Sequence, residues 1–216
     1  MVNNWARAGQ VALARAFFVK SNYQQTRGVK VMAKSVSADA SLKILKDGNK
    51  RFSSDRPVHE RQDKERRGEL KDGQSPFAIV LSCADSRVVP ELIFDTGLGE
   101  IFVVRVAGNI ANTSSIASIE YAVAHLGTKL IVVLGHESCG AVGAAVANDN
   151  NGYNLNHLVC HIKPALSNGS VNTIVKKNAK LTAKELEDRS TIIGKAKGLK
   201  IKPAYYELVS GKVKWL

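Results

Sequence analysis

Two short strings in this 216-residue chain gather reactive side chains more tightly than packing requires. The first is Cys83-Ala84-Asp85-Ser86-Arg87, with a thiol, a carboxylate and a guanidinium at alternate positions. Alternate side chains of extended backbone point the same way, so these three share a side. The second is His136-Glu137-Ser138-Cys139, an imidazole and a thiol one turn apart. Thiolate and imidazole are donors that zinc prefers, and a His-x-x-Cys turn can place both on one ion. Cys83 would complete a set of two thiolates and one imidazole, leaving a fourth tetrahedral position for water or for Asp85. Plainer readings stand beside this one. Cys83 and Cys139 can be buried thiols with His136 capping a helix and Asp85–Arg87 a surface pair. A Cys83–Cys139 redox couple fits less well, because neither cysteine lies in a Cys-x-x-Cys motif.

The elements that must position these groups follow from hydrophobic pattern. Residues 37–52 show Ala40, Ile44, Leu45 and Phe52 at helical spacing, with Ser37 or Asp39 as N-cap, and a polar stretch runs on to Gly73. The apolar runs 75–82, 100–106 and 129–135 read as strands; the last has no polar alternation, as when both faces are covered. Pro90 opens a short helix, 114–127 is a helix stopped by Gly127, and a helix of small residues begins at Cys139. "LNHLVCHIKPAL" and "LTAKELEDRS" are further helices, and "AYYELVSGKVKWL" holds two strand-like runs about Ser210-Gly211, a hairpin signal. Strands alternating with helices predict an α/β fold on a mainly parallel sheet flanked by helices, with a C-terminal edge hairpin. Ligands gather at the carboxyl ends of such strands, where both strings fall.

Composition narrows the function classes. The chain is 44% apolar and 23% charged, ordinary for one globular domain, here drawn as 38–216. Its net charge of +12 is uneven: residues 1–73 hold 16 Lys/Arg against 8 Asp/Glu, 74–161 hold 3 against 7, and 162–216 hold 12 against 4. The segment that holds both strings is therefore acidic, and aromatics are not interleaved with the cations, so no nucleic-acid partner is expected. No uncharged apolar run approaches the ~18 residues that span a bilayer, so no membrane partner is expected either. Residues 1–37 carry six Lys/Arg and no acid. Two readings fit them: a helical arm that packs on a partner subunit, or a targeting segment for export or an organelle. Arg15 interrupts the one apolar stretch and no clean cleavage site follows, which favours a cytoplasmic address.

In order and spacing, "CADSR", "RVAGN", "SIEYAVAHLG" and "GHESCGAV" resemble the β-class carbonic anhydrases, over roughly three quarters of the chain. The resemblance implies one Zn2+ per chain on Cys83, His136 and Cys139, and a catalytic dyad of Asp85 and Arg87, with Asp85 a fourth ligand in a closed state. It implies reversible hydration of CO2 to bicarbonate by hydroxide on zinc, whose charge lowers the pKa of water from ~15.7 to about 7. Gln74, Phe102 and Tyr121 match the pocket lining of the plant-like branch, shared there across a dimer interface. Gly108 and Asn109 match the family's Gly-Asn loop, and Gly140 the substrate side of the site. Partners implied are CO2, bicarbonate and a second copy of the chain, as a homodimer or higher even oligomer. Hydrolysis of carbonyl sulfide or carbon disulfide on the same scaffold is the first alternative, and a non-catalytic zinc-stabilised binding protein the second. Lys202-Pro203 departs from the family pattern; proline there predicts an edge strand and counts against assembly beyond the dimer. His157, Cys160 and His161 suggest a second metal site, against an amphipathic helix with incidental histidines. His125 reads as a dipole-compensating residue at a helix end, and Glu120 and Glu137 have no assigned role.

Overall fold

The computed structural model describes residues 36–216; the expected N-terminal arm lies outside the described residues. Ser37 caps the first helix, α1 (Ala38–Phe52), by accepting a hydrogen bond from Ala40 N, and Asp63 caps α2 (Lys64–Glu69) in the same way through Arg66 N. The chain then alternates: β1 (Ala78–Ser82), α3 (Pro90–Ile93), β2 (Ile101–Arg105), α4 (Thr113–Ala124), β3 (Leu130–His136), α5 (Gly140–Ala147) and α6 (Tyr153–Cys160). It ends with α7 (Val171–Arg189), α8 (Thr191–Gly194), β4 (Lys200–Tyr206) and β5 (Val213–Trp215).

The five strands form one sheet in the order β2-β1-β3-β4-β5; the first four are parallel and β5 closes antiparallel on β4. β1 and β3 are buried at every position, the pattern of strands covered on both faces. Their alternation splits the core. Val80, Val132 and Leu134 pack with Leu45 of α1 and Phe94, while Ile79, Leu81, Ile131 and Val133 pack with Ile119 of α4 and Ala179 and Leu186 of α7. After β1 the chain turns to β2 on one side, and β3 lies on the other. The C-terminal ends of β1 and β3 therefore border the point where strand order reverses.

Pro203 corrects the expectation of an edge strand. β4 lies between β3 and β5. The Pro203 carbonyl accepts from Leu216 N at 3.0 Å, so its main-chain polar groups face the β5 side and the missing N–H takes nothing from the β3 ladder. The proline therefore gives no reason to limit assembly.

One loop is tied down by a single carboxylate. Asp95, buried and left-handed at φ 48°, accepts from Arg51 Nε at 2.5 Å and from the backbone N–H groups of Val58 and His59 at 3.1 and 3.2 Å.

Candidate metal centre

Cys83 follows β1, His136 ends β3, and Cys139 is the N-cap residue of α5. The fold brings their ligand atoms within 4.8 Å of one another, and all three residues are buried. Among the described residues this is the one such group of three or more.

The imidazole is set as a ligand by its own neighbour. His136 Nδ1 lies 2.9 Å from the Glu137 carbonyl, which can only accept, so Nδ1 carries the proton and Nε2 bears a lone pair. Nε2 is buried and, among the described residues, has no hydrogen-bond partner. A buried polar atom left alone costs about 1–3 kcal/mol, and a cation among the three donors removes that cost. The donor set fits zinc on this ground.

The sulfurs are prepared in the same direction. Contact with the Cys139 thiol holds Cys83 well below the usual thiol range despite burial, and His136 and the Gly108 N–H, 3.3 Å from Sγ, reinforce it. The same sulfur–sulfur contact, with burial, pushes Cys139 up. The pair thus retains a proton that a dication would displace, since a coordinating thiol is deprotonated.

Asp85 and Arg87 form the second layer. Arg87 Nε donates to Asp85 Oδ1 at 2.9 Å and Nη2 to Oδ2 at 2.7 Å, a bidentate pair, and Arg87 N also donates to Oδ1 at 2.9 Å. The guanidinium, with that N–H, holds Asp85 well below the usual carboxylate range. Its Oδ2 stands 3.9 Å from His136 Nε2, beyond hydrogen-bond length. Gly108, at φ 71°, leaves no room for a side chain: a Cβ would stand 2.6 Å from Ile162 Cδ1. Among the described residues, buried Asn109, at φ 45°, has no partner for its Nδ2, and Gly140 opens α5 with open space around it.

Some site residues carried no clear sequence signal. Arg105, at the end of β2, donates from Nε to the Cys83 carbonyl at 3.0 Å and from Nη2 to the Asp85 carbonyl at 2.6 Å, bracing the loop that carries both. Asn178 of α7 donates to the Gly108 carbonyl at 2.9 Å, and Asn172 accepts from Ser138 N at 2.9 Å. Glu137 Oε2 accepts from Leu208 N at 3.0 Å and Glu137 N donates to the Tyr206 carbonyl at 2.9 Å, fixing the peptide that orients His136. Arg105 is the arginine of "RVAGN", a cation closing an apolar strand; that was its one visible signal.

Gln74, Phe102 and Tyr121 are not gathered with these groups in the chain. Phe102 pairs with Ile79, four residues before Cys83, which is ~13 Å along the strand. Tyr121 lies against Phe102, ring centroids 6.4 Å apart, and stacks on His125 at 5.1 Å. Gln74 and Tyr121 line an open cavity of about 600 Å3 with Leu70 and Leu126, at the end of the sheet opposite the thiols.

Comparison with known proteins agrees with this geometry. The carbonic anhydrase family model matches residues 78–213. The chain is 41% identical over 187 residues to a carbonic anhydrase of Mycolicibacterium smegmatis, covering 81% of this chain and 91% of that protein. Carbonic anhydrase 2 of Mycobacterium tuberculosis is 54% identical over 113 residues, which span 52% of this chain and about half of that protein, 55%. A tetrameric β-carbonic anhydrase of Sordaria macrospora superposes with a TM-score of 0.64 at 28% identity, over 69% of this chain and 85% of that one. With its parallel sheet and its Cys-His-Cys cluster at two strand ends, the chain belongs to the β-class carbonic anhydrase family.

Proposed function

We propose that this chain hydrates CO2 reversibly to bicarbonate and a proton, with one zinc ion held by Cys83, His136 and Cys139. One observation carries the reading: a buried Nε2, partnerless among the described residues, converges with two sulfurs beside a bidentate Asp85–Arg87 pair. Zinc, when bound, supplies a Lewis acid that makes hydroxide available from water near neutral pH. The residues do the rest. Asp85 stays ionised and accepts, so it can hold the hydrogen of an incoming water but cannot donate to CO2. Arg87 occupies both carboxylate oxygens, which keeps Asp85 off the metal and leaves positive charge where bicarbonate forms. A purely structural zinc site has no use for that pair.

Gln74, Phe102 and Tyr121 complete the site in this reading only when a second copy brings its own open cavity against the first. Purified protein should contain one zinc per chain and hydrate CO2 in stopped flow. Stoichiometric zinc without hydration would leave the structural reading standing, and faster hydrolysis of carbonyl sulfide or carbon disulfide would transfer the substrate to those molecules.

A further inference from the structure

The outer face of α6 carries a second pair of imidazoles. His157 and His161 are one helical turn apart, with ring centroids 5.5 Å from each other. His157 is exposed and His161 half-buried, and among the described residues neither ring enters a hydrogen bond or ion pair. The core does not call for them. Val159 and Ile162 are the buried residues of this turn. On a helix His157 and His161 sit about 40° apart, and Val159 lies roughly opposite.

Two imidazoles on one ion, at ~2.0–2.1 Å per bond and a roughly tetrahedral angle, place their ring centroids about 5 Å apart. The observed spacing needs only a small rotation of the rings to meet that. The charge beside α6 is balanced: Asp149 and Lys163, one of each sign, line a pocket with Asn156 and Cys160 of that helix. His161 is the C-cap of α6, beside last-turn carbonyls that carry partial negative charge.

We propose that His157 and His161 chelate a divalent transition-metal ion of the imidazole-preferring class (Zn2+, Ni2+ or Cu2+) in a site separate from Cys83, His136 and Cys139. Two protein ligands leave the remaining positions to water, so this ion exchanges freely, whereas the buried one does not. Cys160 lies on the same helix but outside the chelate, since its sulfur does not join the two rings in a three-ligand group.

The test uses full-length protein whose buried centre is already loaded with zinc, checked by elemental analysis before and after. Ni2+, which does not oxidise thiols, is the probe. Calorimetric titration should show one additional Ni2+ per chain, and NMR signals of residues 153–163 should broaden. His157→Gln and His161→Gln should each weaken that binding at least tenfold while retaining the buried zinc and its activity. The proposal is overturned if wild type takes up no extra ion, if both variants bind it as wild type does, or if only one of the two histidines matters.

Discussion

The two ends of the parallel sheet are built on opposite terms. At the carboxyl ends of the strands, Cys83, His136 and Cys139 are buried, and groups of the same chain hold two of them: the Gly108 N–H and Arg105 hold Cys83, and the Glu137 carbonyl holds His136. At the amino ends, Gln74 and Tyr121 stand exposed around an open cavity. The first arrangement is finished by folding. In the proposed function the second is finished by assembly, so the two ends should respond differently to mutation and dilution.

The largest effect should come from the finished end. Cys139→Ser removes one sulfur from a three-ligand set, and both zinc content and CO2 hydration should fall to near zero. Elemental analysis giving one zinc per chain would show that the site does not depend on that thiol. Arg87→Ala should keep its zinc yet lose on the order of a hundredfold in hydration, the scale of a lost transition-state contact. Stopped-flow rates equal to wild type would make the Asp85–Arg87 pair a surface feature. Glu137→Ala frees the peptide that orients His136 and should weaken zinc retention by about tenfold, whereas Glu137→Gln preserves an acceptor for Leu208 N and should stay near wild type. Chelator competition reads the difference, and equal behaviour of the two variants would separate the side chain from the ligand. At the open end, Tyr121→Ala should leave zinc intact and lower activity severalfold as it shifts the oligomer toward smaller species. A monomer with full activity in sedimentation and rate measurements would remove the amino end from the site.

Much of the finished end could be read from sequence, because its elements announce themselves. β1 and β3 are uninterrupted apolar runs, and the ligands follow them directly. α2 could not be read, since it buries none of its residues and rests on the Asp63 cap. The first half of α7 was hidden by β-branched and amide residues (Val171, Asn172, Thr173, Val175) whose helical state comes from packing Ile174, Val175 and Asn178 into the core. α6 stops at Cys160, short of the expected helix, and Pro164 sits in a separate 3-10 turn, Lys163–Ala165. The open end gives residue types but no relation to the thiols, because that relation passes through tertiary register and not through spacing along the chain.

The Asp95 knot makes the fold answer to acid. Burial works to raise this carboxyl, but the Arg51 guanidinium and the N–H groups of Val58 and His59 outweigh it and hold it below the usual range. An unfolded chain therefore binds a proton at Asp95 more readily than the folded one does. The stabilisation is complete above the ordinary carboxylate range, where both states are ionised, and drains away as pH falls through that range toward the lower folded value. Residues 56–63 depend on this single carboxylate for two of their backbone donors, so acid should loosen them before the sheet. Limited proteolysis below the ordinary carboxylate range, at about pH 3, should cut there first, at a pH where the strands bearing Cys83 and His136 still resist.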